Sequence, residues 1–110
     1  MAYICLELMG MAGEPVYINC VPEISSFVRQ VLAKNRENLP YGSSLTPKVH
    51  TWADHWTFSA AGIPGIEFET VSDSWEKFYY HSQLDAPSII DYGYLKQLFA
   101  VLTDMSVKLM

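Results

Sequence analysis

The segment Tyr3 to Met9, Tyr-Ile-Cys-Leu-Glu-Leu-Met, limits the fold more than any other stretch of the chain. It is short, almost wholly apolar and closed by Gly10. That is the pattern of a strand buried on both faces, as in the middle of an α/β sheet. Glu7 is the anomaly within it. A carboxylate in a buried strand is costly unless it is paired, hydrogen-bonded or bound to a metal, so Glu7 needs a partner.

The rest of the chain alternates between strand-like and helix-like patterns. Val16 to Cys20 reads as a second strand. Pro22 and Glu23 suit a helix first turn, and Ile24, Phe27, Val28, Val31 and Leu32 then form one apolar stripe. Asn38 to Thr46, with Pro40, Gly42 and two serines, reads as a surface loop, and Pro47 to Thr51 as a short strand. Asp54 is placed to cap a short helix through Phe58, with Gly62 closing it. Ile63 to Thr70 reads as a strand with Pro64 near its start. Val71 to Pro87 is polar, aromatic and weakly periodic, and a loop of that length is usually functional. Asp91 caps a final helix with Leu95, Leu98, Phe99, Leu102, Met105 and Leu109 on one face.

Strands alternating with helices predict an α/β three-layer sandwich on a mixed sheet. Several connections are too short for parallel crossovers, so at least one antiparallel pair is expected. The 110 residues fit a single domain, 1–110, with one core. Twelve acidic residues against seven basic give a net charge of -5, which works against nucleic acid or an anionic membrane as partner. No apolar run approaches the ~20 residues needed to span a bilayer. The N-terminus lacks a signal-peptide pattern, so a soluble chain is expected, its localisation unknown. Cys5 and Cys20 sit in stretches that read as neighbouring strands, and two buried free thiols are expected rather than a disulfide.

Three features carry possible chemistry: Glu7 at a strand end, Asp54-His55 opening a short helix, and Tyr80-His81 in the long loop. A strand-end carboxylate and a loop histidine suit a borderline metal such as zinc, although two ligands alone make a poor zinc site. The segment Ala53-Asp54-His55-Trp56-Thr57-Phe58 with Gly62-Ile63-Pro64 resembles the Ser-Asp-His-x-x-Phe … Gly-Ile-Pro stretch of peptidase family 28 of the metallopeptidases. Tyr80-His81-Ser82-Gln83-Leu84-Asp85, with Ile90-Asp91 after it, resembles that family's Tyr-His-Thr-x-x-Asp-Thr … Ile-Asp pattern. Leu6-Glu7-Leu8-Met9-Gly10 resembles its Leu-Asp/Glu-Met-Ile-Gly strand. The three motifs occur in the family's order.

The resemblance implies the C-terminal portion of a zinc-dependent aminopeptidase of the bacterial leucyl type, with a peptide as substrate. It implies Glu7 and His81 as zinc ligands and Tyr80 as a donor to the oxyanion of the tetrahedral intermediate. Asp54-His55 would be structural, with Asp54 as the cap. The family's His-x-Asp pair, bridging Asp and Glu-Glu pair are absent from this sequence. Taken alone, the chain is therefore expected to have little or no peptidase activity. Two other readings stay open: a glutaminyl cyclase-like transferase, mildly opposed by Tyr80, and a non-catalytic α/β scaffold for assembly. An incomplete half exposes sheet edge and apolar surface, so homo-oligomerisation or association with a missing N-terminal half is expected.

Overall fold

A computed structural model describes residues 1–11, 14–51, 53–70 and 79–110. Most of the long loop, 71–78, lies outside the described residues. The sheet has four strands: β1 (Tyr3–Glu7), β2 (Tyr17–Cys20), β3 (Ser44–Thr46) and β4 (Gly65–Glu69), in the order β1-β4-β2-β3. The β1–β4 and β2–β3 pairs are parallel and the β2–β4 pair is antiparallel. This is the mixed sheet that the short connections demanded.

The register sorts side chains to two unlike faces. Ile4 lies beside Ile66 and Leu6 beside Phe68, while Ile18 and Cys20 join them from β2. This apolar face is covered by α1 (Ser25–Lys34) and α3 (Tyr92–Leu109), whose Val28, Val31, Leu32, Leu98, Val101 and Met105 complete the core. The opposite face carries Cys5, Glu7, Asn19, Glu67 and Glu69, and the short α2 (His55–Ala60) packs there against β1 and β4. The rings of Tyr3 and Phe58 stack at 3.7 Å and fasten α2 to β1. Helices thus lie on both sides of the sheet, a three-layer α/β arrangement.

Helix ends follow local chemistry. Gly62, at φ 80°, closes α2: its N–H reaches the Ser59 carbonyl and the Ile63 N–H reaches that of Phe58, a Schellman turn. The Asp91 side chain accepts from the Tyr94 N–H at 2.9 Å and caps α3. Asp91→Ala is expected to cost about 1 kcal/mol in urea denaturation, and an unchanged midpoint would deny the cap any weight. Asn35, just past α1, donates to Asp104 of α3 at 2.7 Å, tying the two helices.

Four expectations change. The Tyr3 segment is an edge strand here, not a central one, and β4 separates it from β2. Cys5 and Cys20 are both buried and free as expected, but they sit on opposite faces of non-adjacent strands. Ser44–Thr46, read as loop, forms β3, whereas Pro47 to Thr51 forms no strand. On α3 the buried stripe is Leu98, Val101 and Met105, and Phe99 is 68% exposed. No helix among the described residues is long and apolar enough to cross a membrane.

Candidate functional site

β1 and β4 run parallel, so Glu7 and Glu69 mark the same, carboxyl-terminal edge of the sheet. Such edges are where open α/β sheets bind ligands. Leu8, at φ 54°, turns the chain sharply out of β1 immediately after Glu7. Alternation along β1 puts Cys5 on the same face as Glu7, and the thiol lies 3.7 Å from a Glu7 carboxylate oxygen. Asp54, at the entrance to α2, completes a group in which Cys5, Glu7 and Asp54 place their donor atoms within 4.8 Å of one another. The Asp54 side chain makes no capping hydrogen bond, and its backbone is already helical. The expectation that it caps α2 is therefore corrected: its carboxylate belongs to this cluster.

Electrostatics in the cluster are lopsided. Burial, then the negative charges of Glu7 and Glu67, push the Cys5 thiol up to about 11. Cys5 is thus a neutral thiol at physiological pH unless a cation joins it.

Beneath the cluster lies a buried polar layer that sequence reasoning missed. Glu67 is 1% exposed and His55 is 0% exposed. The Asn19 amide donates to Glu67 at 2.8 Å, and His55 Nδ1 stands 3.4 Å from the other carboxylate oxygen. Neither ring nitrogen of His55 makes a directed hydrogen bond among the described residues. The 3.4 Å approach suggests an ion pair, yet burial is the leading influence on both groups. It raises the Glu67 pKa against the opposing Asn19 hydrogen bond, and it lowers that of His55. Burial decides the matter: His55 is neutral. The signal for Glu67 was present in the sequence, since Ile-Glu-Phe-Glu sets a carboxylate between two core residues just as β1 does.

Tyr80 and His81 lie in an exposed turn held by Ser82, whose N–H and hydroxyl both reach the Tyr79 carbonyl. His81 adopts φ 53°, and its ring meets that of Tyr80 at 3.9 Å. Neither residue is part of the Cys5–Glu7–Asp54 group. A cavity of about 400 Å³ lined by Val21, Ile24, Ser59 and Pro64 sits at the opposite end of β4, away from Glu7.

Glu7 and Glu69 close two parallel strands at one edge of a mixed sheet with helices on both sides, which defines the class as a three-layer α/β domain. The model of Peptidase family M28 matches residues 1–106, and the chain belongs to that family. It is a peptidase-related domain. No curated protein and no solved structure matches the chain.

Proposed function

We propose that this chain is the C-terminal portion of a zinc-dependent aminopeptidase, hydrolysing N-terminal peptide bonds once residues supplied from upstream complete it, and having little activity alone. The observation that carries this reading is the position of Glu7. It stands at the carboxyl end of a family-matched strand, within 4.8 Å of a thiol and a second carboxylate.

The family is generally zinc-dependent, and the residues present fit the ion. A thiol and two carboxylates are a donor set zinc accepts. The carboxylates of Glu7 and Asp54 repel each other, and a divalent cation would relieve that repulsion and deprotonate the Cys5 thiol outright. Glu7 and His81 would hold zinc, with Cys5 and Asp54 as neighbouring donors. When bound, zinc supplies Lewis-acid polarisation of the scissile carbonyl and activation of water. Tyr80, exposed beside His81, donates its hydroxyl where negative charge develops on the carbonyl oxygen. The general base comes from the upstream Glu-Glu pair of the family pattern, which accounts for low activity of the isolated chain.

Metal content after dialysis against a weak chelator tests the site. The expected result is retained zinc, with affinity at least ~10-fold weaker in Glu7→Gln and in His81→Ala. Equal zinc in all three proteins, or none in any, would sink the metal reading. The assignment to aminopeptidase rather than glutaminyl cyclase is tested by joining an upstream half and comparing aminoacyl-anilide cleavage with pyroglutamate formation.

A further inference from the structure

We infer that the groove between α1 and β3 docks an acidic, extended peptide segment of a partner protein, laid along the outer edge of β3. β3 is the far edge of the sheet, with β2 and β4 between it and β1. Its ladder to β2 is parallel, and the Ser44 N–H reaches the Val16 carbonyl. Ser44 and Thr46 therefore turn their backbone groups toward β2, and Leu45 turns its N–H and C=O outward. One outward residue, with Pro47 next after the strand, offers too little backbone to hold a partner strand unaided. Side chains must select what pairs there.

The selection is electrostatic. A hollow of about 270 Å³ beside β3 has Ile18, Leu32, Leu39 and Leu45 among its walls. Among the described residues, the ionisable side chains lining it are Arg29 and Arg36 alone. A second hollow, of about 380 Å³ at Pro40 and Tyr41, shares Arg36, Leu39 and Ser43 with the first, so the two are continuous. Both arginines are exposed. Neither is in an ion pair among the described residues, where the pairs join His55 to Glu67 and Lys108 to Asp104. Glu37 follows Arg36 in sequence but lines neither hollow. In a chain of net charge -5, two unopposed guanidinium groups on one groove are a local reversal of sign.

Spacing sets the partner's pattern. Arg29 lies in α1 and Arg36 in the turn Arg36–Asn38 that follows it, about 10 Å further along the helical direction. An added strand turns every second side chain to the α1 face, so residues i, i+2 and i+4 face the groove over about 13 Å. Carboxylates at i and i+4 come within reach of the two long arginine side chains, and an apolar residue at i+2 enters the hollow between Leu32 and Leu45. Guanidinium groups favour carboxylates over neutral acceptors. Backbone pairing at an edge, with hollows for alternate side chains, is a recurrent way for sheets to take peptides.

An NMR titration of the isotope-labelled chain with a capped peptide, Ser-Glu-Thr-Leu-Thr-Glu-Ser, tests the inference. The expected result is saturable shifts at Leu39, Ser43 and Leu45, with slower exchange of the Leu45 amide. The dissociation constant should weaken about threefold in Arg29→Gln or Arg36→Gln, and at least about tenfold in the double variant. Added salt should weaken it as well, and the same peptide with Gln for Glu should bind at least about tenfold less tightly. Both arginines are exposed, so far-UV circular dichroism of the variants should match the parent. No saturable shift at millimolar peptide overturns the inference, and so does equal binding by the double variant or by the glutamine peptide. An unaltered Leu45 amide overturns it too, because the peptide would then not lie on β3. If inorganic phosphate reproduces every shift, the groove takes anions rather than a strand, and the inference falls. None of these results bears on zinc retention, so the metal reading stands or falls separately.

Discussion

Glu67→Ala is expected to cost about 2–4 kcal/mol of folding free energy at neutral pH, whereas Glu67→Gln should cost under about 1 kcal/mol. The carboxylate is buried against Asn19 and His55, on the face that α2 covers. Alanine leaves the Asn19 amide without its 2.8 Å acceptor and opens a void beside the imidazole. An orphaned buried donor alone is worth ~1–3 kcal/mol, and the void adds to it. Glutamine keeps an oxygen to accept from Asn19 and offers an N–H toward His55 Nδ1.

The two variants separate further with pH. Burial raises the Glu67 pKa from its ordinary 4.5, so the carboxyl favours the fold fully below 4.5 and that contribution is lost as pH rises through the folded value. Glutamine does not titrate and shows no such loss. His55 moves the other way: burial lowers its pKa from 6.5, so its contribution is present above 6.5 and lost as pH falls through the folded value. The Glu67→Gln protein should therefore keep the His55 slope, weakening as pH falls below 6.5, while the parent's advantage over it shrinks with rising pH. Urea denaturation at pH 5 and pH 8 measures both. A Glu67→Ala protein as stable as the parent at both would mean that the buried layer contributes nothing to the fold.

Much of this architecture was legible because the signals were local. The apolar run at Tyr3, the stripe from Ile24 to Leu32 and the Gly62 stop each specify an element through nearby residues, and each element formed. What failed depended on neighbours distant in sequence. β3 is built from Ser44-Leu45-Thr46, polar enough to read as loop, because pairing to β2 is a backbone affair and only Leu45 packs inward. β1 read as central because its composition is apolar. Its alternation in fact divides Ile4 and Leu6 from Cys5 and Glu7, and composition does not reveal which neighbour is missing on one side. Phe99 fits the helical stripe by spacing, but the face α3 presents is set by α1 and the sheet, and it centres on Val101. The same divide runs through the site. Glu7 stood out because a charge in an apolar strand is a local anomaly, whereas the approach of Asp54 to it depends on how α2 lies across the sheet. Asp54 was read as a cap because spacing fits that role equally well.

Gly65→Val is expected to cost about 2–3 kcal/mol and to weaken zinc retention at least tenfold, although residue 65 holds no metal. Gly65 begins β4 directly beneath α2. A Cβ added there would stand 3.1 Å from His55 Cβ, 3.1 Å from Ser59 Oγ and 3.2 Å from the His55 carbonyl oxygen. The serine hydroxyl can rotate away, but the backbone carbonyl cannot move without lifting the helix. The glycine is thus required by the closeness of α2 to the sheet. Valine adds two further methyls, so α2 must shift, carrying Asp54 away from Cys5 and Glu7. Gly65→Ala, with the Cβ alone, should lie between valine and the parent in both stability and metal affinity. Denaturation paired with metal titration distinguishes a general loss of stability from a specific one. If Gly65→Val lowers stability yet binds zinc as tightly as the parent at temperatures where it remains folded, Asp54 is not a donor, and the ion rests on Glu7, His81 and ligands from outside α2.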